Sequence, residues 1–218
     1  MSTGNVTSAL DSLANALQII PQHEYLLQGT ILDSHVDHLV QRLRGLCDNV
    51  DQGLQTFHDH EICFSLQSTQ QGQVAPLILR VRRAIDMDAP FQLRYIGHQE
   101  VGDRTRLTLV RNSLDIACTP TVIEYLKELG CTVDFEYTIR GYMFRKGRMK
   151  ITVSKIFKLG GVPSNPESYT EPIPFTQSYL VELSVVTASQ DGIGKEMVHF
   201  ADQLRPLVKL EKIDYKRP

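Results

Sequence analysis

Hydrophobic and polar positions alternate with a period of two along much of this chain, as in strands that have one apolar and one polar face. The runs that predict strands are 23–32, 61–66, 77–83, 91–95, 106–113, 132–143, 148–157 and 178–188. Most of these runs are joined by short connections, and helices do not alternate regularly with them. This arrangement favours an antiparallel sheet of about eight strands over a parallel one.

The clearest pair of strands flanks Gly147, where the chain is predicted to turn. In the first strand Ile139 falls on an apolar parity and Arg140 on a polar parity. The return strand repeats the pattern, with Ile151 on the apolar parity and Lys150 on the polar one. The pattern predicts a hairpin with one apolar and one polar face.

Three segments have apolar residues spaced three and four apart and are predicted to be helices that cover the sheet. The first follows Asp33 or Ser34 as N-cap, the second lies between Thr119 as N-cap and Gly130, and the third is 195–205. The apolar positions on these helices are Val36, Leu39, Val40, Leu43, Leu46, Val122, Ile123, Leu126, Leu129, Met197, Phe200, Ala201 and Leu204.

Two segments stand apart from the predicted domain core. Residues 1–22 form an N-terminal tail or an amphipathic helix, because a narrow apolar stripe precedes Pro21 and isolated helices of this length are marginal in water. The stripe consists of Val6, Leu10, Leu13, Leu17 and Ile20. Residues 160–177 contain four prolines and are predicted to be a surface loop within a single domain at 23–218.

These elements predict an α+β fold, in which a many-stranded antiparallel curved sheet or barrel is flanked by about three helices. A sheet of eight twisted strands curls. If its apolar face takes the helices and its polar face turns inward, the result is a barrel or half-barrel with a partly polar lumen. A length of 218 residues suits one such domain better than two.

Composition places the chain among ordinary folded proteins. Apolar residues make up 42% and charged residues 22%, and the formal net charge of -2 lacks the basic footprint of a dedicated nucleic-acid binder. The four cysteines include no CxxC pair, which indicates buried free thiols in a reducing compartment. The N-terminal stretch has the pattern of neither a signal peptide nor a membrane span, so no membrane partner is expected.

Motifs for common enzyme classes are incomplete in this sequence. His58 and His60 would share a strand face from which Cys63 points away, so a metal site there is not expected. The stretch 192–195 resembles a phosphate loop, but Glu196 stands where the magnesium-binding Ser or Thr belongs. Neither GxSxG nor HExxH occurs. We therefore expect no catalytic, cofactor-binding or metal-binding residues.

Basic residues are concentrated in two places, the strand pair around Gly147 and the strand at 77–83. The candidate contacts to an anionic partner are Arg80, Arg82, Arg145, Lys146, Arg148 and Lys150. Two interpretations stay open. The cations pair with acids on neighbouring strands at a solvated hairpin tip, or they form a surface for an anionic protein or nucleic acid.

Five segments of the sequence resemble the Mediator subunit 18 family, from the head module of the RNA polymerase II coactivator. They are EYLLQG at 24–29, QRLRGLCDN at 41–49, FRKG at 144–147, SYLVELSVV at 178–186 and LRPLVKLEKID at 204–214. The likeness extends from about Glu24 to Arg217. It consists of several long segments in the order in which the family has them, rather than one short motif.

The resemblance implies a fold, partners and a location. Members of the family look like many-stranded antiparallel barrels that form a heterodimer with Mediator subunit 20 and hold a C-terminal helix of subunit 8. Contact with other head-module subunits and with RNA polymerase II would follow, as would a place in the nucleus. The implied function is a regulatory scaffold that is not an enzyme and takes no small-molecule substrate.

The family fold is similar to that of triphosphate tunnel enzymes, in which alternating acids hold metal and alternating bases hold phosphate. On the first strand an acid, acid, base alternation is implied, but Glu24, Leu26 and Gln28 occur. Most of the carboxylates that would hold metal are therefore expected to be missing. The cations that would hold phosphate are kept, as Arg80 with Arg82 and Arg148 with Lys150. A metal-dependent triphosphatase, and an anion- or nucleic-acid-binding module using the basic hairpin, remain the alternatives.

Overall fold

The computed structural model describes residues 22–48, 53–66, 77–99, 106–159, 173–188 and 192–213. Within these ranges the chain forms nine strands and three α-helices, as expected for an α+β domain. They are β1 (Gln22–Leu32), α1 (Val36–Leu46), β2 (Gln55–Leu66), β3 (Leu77–Ala84), β4 (Phe91–Gln99), β5 (Leu109–Cys118), α2 (Val122–Glu128), β6 (Thr132–Lys146), β7 (Met149–Lys158), β8 (Ile173–Pro174), β9 (Ser178–Thr187) and α3 (Ile193–Asp202). The helix predicted before Pro21 lies outside the described residues.

Eight of the strands close into an antiparallel barrel in the order β6-β2-β3-β4-β5-β1-β9-β7. Pairing between β6 and β7 joins the two ends of this order, so the barrel predicted from the sequence is confirmed. Gly147 makes the tight turn between these two strands with a φ of 54°, a conformation that glycine adopts without strain. The short strand β8 adds to β7 from within the predicted proline loop.

The hydrophobic core lies outside the barrel, in two separate clusters under the helices. The larger cluster packs α1 and α3 against the outer face of β1, β9, β7 and part of β6, and it includes Leu39, Leu43 and Met197 with no exposed surface. The smaller cluster packs α2, through Leu126, against Phe64 and the outer face of β2, β3 and β4. Burying these apolar stripes supplies most of the driving force for folding.

The structure corrects the predicted faces of one strand of the hairpin. On β7, Ile151 faces the helices and Lys150 faces inward, as predicted. On β6 the order is reversed: Phe144 lies opposite Ile151 and packs in the larger cluster. Tyr137 is on the other parity and turns its hydroxyl to Glu61. Periodicity identifies which side chains share a face, but the register decides which face points inward.

Helix and strand ends also differ from the predictions. Neither Asp33 nor Ser34 caps α1, since a 3-10 turn at Asp33–His35 precedes it and Asp33 instead pairs with Lys155. Helix α2 starts at Val122 without a side-chain cap, although Gly130 does follow it with a φ of 90°. Strand β2 begins at residue 55 rather than 61, because its polar first half pairs with β6.

All four cysteines are free thiols, and three of them are buried. Burial and the negative charge of Asp48 raise the pKa of Cys47 to about 11, and burial also raises the pKa of Cys63 and Cys131. Cys118 is partly exposed. Because thiolates react and protonated buried thiols do not, we expect one rapidly reacting thiol per native chain in a dithionitrobenzoate assay at pH 8. The Cys118→Ser variant should lose that phase, whereas a rapid phase that persists would contradict the assignment.

Candidate functional site

Charged side chains from several strands meet inside the barrel. Lys150 on β7 demonstrates this, because its pKa is lowered by burial and then by the positive charges of Arg82 on β3 and Arg94 on β4. These strands lie across the barrel from β7, so the interaction passes through the interior. We call the following set the lumen charges: Glu24, Asp59, Glu61, Arg80, Arg82, Arg94, Arg111, Asp115, Lys150 and Glu182.

Glu61 on β2 is the most buried carboxylate among the lumen charges, with 3% of the residue exposed. The guanidinium of Arg82 donates to it, with 2.9 Å between Nε and Oε1, and the hydroxyl of Tyr137 donates to Oε2. Burial alone would raise the pKa of Glu61, but Arg82 and Tyr137 outweigh burial and lower it. Asp59 lies 3.7 Å from Arg82 as a second counter-charge.

A second ion-pair network joins β1, β4 and β5. Glu24 accepts from Arg111 at 2.6 Å and lies 3.8 Å from Arg94. Arg94 in turn donates two hydrogen bonds to Asp115, at 2.6 and 2.7 Å, in the bidentate geometry that gives guanidinium–carboxylate pairs their strength. These contacts raise the pKa of Arg94 despite its burial.

The acids of the lumen are more numerous than the first strand alone indicated. The additional acids are Asp59 and Glu61 on β2 and Asp115 on β5. The alternation of polar residues in these segments did not indicate that they face inward. The expectation that most carboxylates of the lumen were missing is therefore corrected. Each of these three carboxylates is, however, already bound or faced by an arginine. Within the described ranges, no three His, Cys, Asp or Glu side chains are grouped to hold a metal ion.

The six predicted anion contacts fall into two groups that the structure does not bring together. Arg80, Arg82 and Lys150 belong to the lumen charges, as defined above. At the hairpin tip Lys146 pairs with Asp48 at 2.8 Å, and Arg148 pairs with Glu196 at 2.7 Å.

The hairpin cations thus have acidic partners of their own. Asp48 follows α1 and Glu196 lies in α3, so both acids come from segments distant in sequence rather than from the neighbouring strands. Arg145 precedes the turn and lies directly opposite Lys150 in the register of β6 and β7. The paired charges at the tip reduce its attraction for a polyanion.

An apolar patch on the outer wall was not found from the sequence. Strand β5 continues to Cys118 rather than ending near Ser113, and its outer face runs from Val110 in the larger cluster to Cys118 beside the smaller one. Between them Leu114 and Ile116 are 39% and 46% exposed. We call Leu114 and Ile116 the β5 patch. In the described part of the chain, both lie between the two helix-covered areas of the barrel wall.

No helix among the described residues is long and apolar enough to cross a membrane.

Comparison with known proteins identifies relatives over almost the whole barrel. The family model described as Med18 protein matches residues 23–217. A protein of Aedes aegypti named Mediator of RNA polymerase II transcription subunit 18 is 59% identical over 213 residues, covering 96% of this chain and 94% of its own. A Drosophila melanogaster protein of the same name is 55% identical over 215 residues, covering 97% and 96%.

Among solved structures, a chain of the Schizosaccharomyces pombe Mediator head module is similar to this one with a TM-score of 0.64. The likeness covers 88% of this chain and 98% of the other at 16% sequence identity. At that level of identity the comparison shows a shared fold.

Proposed function

The chain belongs to the Mediator subunit 18 family, and we propose from this that it is a non-catalytic subunit of the Mediator head module. It acts in the nucleus, where it helps to regulate transcription by RNA polymerase II. The observation that carries this proposal is the match to relatives of that name along nearly their entire length. The fold shared with a chain of a Mediator head module supports the same assignment.

The proposed mode of action is binding. The barrel forms a heterodimer with Mediator subunit 20, holds a C-terminal helix of subunit 8, and through other head-module subunits positions this part of the complex near the polymerase. The β5 patch supports such a role, because adjacent exposed apolar side chains on a rigid strand typify protein–protein contact surfaces. Stable pairing of this kind usually buries about 2,000 Å² or more.

The lumen supports a binding role better than a triphosphatase role. A metal-dependent triphosphatase needs carboxylates available to coordinate a divalent ion. Here Glu61 and Asp115 instead accept hydrogen bonds from Arg82 and Arg94, and releasing them would leave each arginine with only its more distant carboxylate, Asp59 at 3.7 Å or Glu24 at 3.8 Å. The interior charges therefore act mainly on each other.

Co-expression with Mediator subunits 20 and 8 tests this function directly. We expect the three chains to elute together in size-exclusion chromatography, at a volume set by the complex. Subunit 20 expressed with an unrelated barrel of similar size serves as the control for non-specific retention. Elution of this chain as a lone monomer in the presence of both subunits would contradict the proposed function.

Charging the β5 patch should weaken one of these interactions. The double substitution Leu114→Glu and Ile116→Glu places two carboxylates in an apolar contact surface, and we expect at least a hundredfold weaker binding of one partner subunit. Binding can be measured by biolayer interferometry on chains whose thermal unfolding matches the wild type. Met87→Glu provides the control, since Met87 is 59% exposed and lies outside the β5 patch. Equal affinities for all three chains would exclude this patch as a contact surface.

A further inference from the structure

The first strand of the barrel begins beside the β5 patch. Gln22, the first residue of β1, lies opposite Ser113 of β5, and Ser113 directly precedes Leu114. Strand β5 continues past this point to Cys118, so Leu114 and Ile116 lie just beyond the start of β1. The part of the chain that precedes Gln22 is therefore attached at the edge of the β5 patch.

Helices of this chain cover the outer wall of the barrel on both sides of the β5 patch. Helices α1 and α3 cover β1, β9 and β7, and α2 covers β2, β3 and β4. Ile116 lies opposite Leu93 of β4, which packs at the border of the smaller cluster. From β1 across β5 to β4 is two strand spacings, about 10 Å, which matches the diameter of one helix. One more helix would complete the cover.

The sequence before Gln22 has the pattern that such a helix needs. Its apolar stripe spans residues 6–20, and Asp11, the only charged side chain among residues 1–21, is not part of the stripe. A helix of these fifteen residues would be about 22 Å long, and β5 from Ser113 to Cys118 measures about 17 Å. A helix of this length is marginal in water, so it requires an apolar surface.

The connection to β1 restricts where that surface can be. Only Pro21 separates Ile20, the last residue of the stripe, from Gln22. Two residues of extended chain span at most about 7 Å, so Ile20 lies within that distance of the start of β1 and thus close to Ser113. The β5 patch begins at the next residue of that strand, which makes it the apolar surface nearest to the attached end of the segment.

We propose that residues 6–20 form a helix in the free chain that packs its apolar stripe on the β5 patch. Burial of Leu114 and Ile116 on one side and of the stripe on the other removes apolar surface of both from water. Because the segment is tethered beside the patch, its effective concentration there is high and a modest contact area suffices. This docking does not depend on partner subunits.

A single tryptophan tests the docking, because the chain contains none of its own. Leu13→Trp places an indole in the middle of the stripe, and Asn15→Trp places one on the opposite side of the same helix. Indole fluorescence moves to shorter wavelength in an apolar environment. In the 218-residue chain we expect Leu13→Trp to emit at clearly shorter wavelength than in urea, and Asn15→Trp to emit close to the urea value.

Substitutions on the barrel identify the surface that holds the stripe. Adding Leu114→Glu and Ile116→Glu to Leu13→Trp should move its emission to that of Asn15→Trp, while circular dichroism shows an intact barrel. Met87→Glu is the control, since Met87 is exposed outside the β5 patch, and it should leave the emission unchanged.

Each other outcome overturns the proposal. Equal emission of Leu13→Trp and Asn15→Trp at the urea value indicates a solvated tail. A short-wavelength signal that Leu114→Glu with Ile116→Glu does not change places the stripe on another surface. A signal that is lost on dilution assigns the contact to a second copy of the chain.

Docking also makes the partner contact proposed for the β5 patch competitive, and this step rests on the proposed function. A segment that is docked about nine-tenths of the time weakens the apparent affinity of a partner for the patch about tenfold. Leu13→Glu with Leu17→Glu releases the segment without changing β5, so the subunit that uses the patch should bind about tenfold more tightly. Asn15→Glu, on the other side of the helix, should bind like the wild type.

Biolayer interferometry with Mediator subunits 20 and 8 measures these affinities and separates the two proposals. Unchanged affinity in Leu13→Glu with Leu17→Glu, beside a docked Leu13→Trp signal, overturns the competition and leaves the docking in place. Absence of binding to either subunit by every variant and by the wild type contradicts the proposed function instead, whatever the fluorescence shows.

Discussion

Replacing Glu61 with glutamine is expected to lower the free energy of unfolding by about 3 kcal/mol, as for the removal of one partner from a buried ion pair. The substitution preserves shape but leaves Arg82 without its nearest counter-charge, in an interior that already contains Arg80 and Lys150. Asp59 remains 3.7 Å from Arg82 and moderates the loss. Urea unfolding followed by circular dichroism measures the change.

The effect of this substitution should depend on pH in a defined direction. The fold lowers the pKa of Glu61, because Arg82 and Tyr137 outweigh the opposing effect of burial. The stabilisation by Glu61 is therefore complete above its ordinary pKa of about 4.5 and is lost as the pH falls through the lower folded value. The difference between wild type and Glu61→Gln should be constant near neutral pH and shrink in acid.

Two further variants separate charge from packing. Glu136→Gln, on the strand next to Glu61, is the control, since Glu136 is half exposed and pairs with His60 at 3.0 Å. It should change stability by less than about 0.5 kcal/mol. The double variant Glu61→Leu with Arg82→Met should recover much of the loss, because apolar replacement of both partners removes the unpaired charge. A Glu61→Gln protein as stable as the wild type would contradict the buried pair.

Replacing Gly141 with alanine should be at least as damaging, with a loss of about 3 kcal/mol or more. A Cβ atom at this position would overlap the carbonyl oxygen of Val153 and lie 2.7 Å from Cα of Ser154. Both are backbone atoms of β7, so neither can move aside as a side chain would. Because β6 and β7 close the barrel, separating them disturbs its closure as well as local packing.

Gly45→Ala is the matched control for this substitution. Gly45 lies in the last turn of α1, and a Cβ there would meet no atom within 4 Å. Alanine favours helix over glycine by up to about 1 kcal/mol, so this variant should be slightly more stable than the wild type. Thermal unfolding of the two alanine variants beside the wild type gives the comparison. Equal melting temperatures would show that β6 and β7 have room between them.

The sequence predicted the elements of this fold better than their orientation. Apolar spacing located α1, including the fully buried Leu39 and Leu43, and alternation located the hairpin around Gly147. It did not show that Phe144 on β6 faces outward with Ile151, because parity within a strand is independent of the strand's side. The polar start of β2 was also missed, since pairing with β6 rather than an apolar stripe holds it in the sheet.

The lumen charges were predicted only in part, for a related reason. Arg80 and Lys150 were identified because basic residues clustered in the sequence, but Glu61 and Asp115 belong to segments without such clustering. Their partners, Arg82 and Arg94, are 21 positions away in each case, on neighbouring strands. Ion pairs of this kind depend on register, which a single sequence specifies only through the completed fold. The β5 patch was missed because the strand continues beyond its alternating part.

Closure of the barrel also limits how other proteins can attach to it. Each of the eight barrel strands has a hydrogen-bonded neighbour on both sides, so their backbone amides and carbonyls are largely engaged. Apart from the end of β7 that β8 extends, the barrel therefore offers an incoming peptide little free strand edge to pair with. Recognition by the barrel wall must then depend on side-chain shape and chemistry, and substitutions that leave the backbone untouched should suffice to map every contact made there.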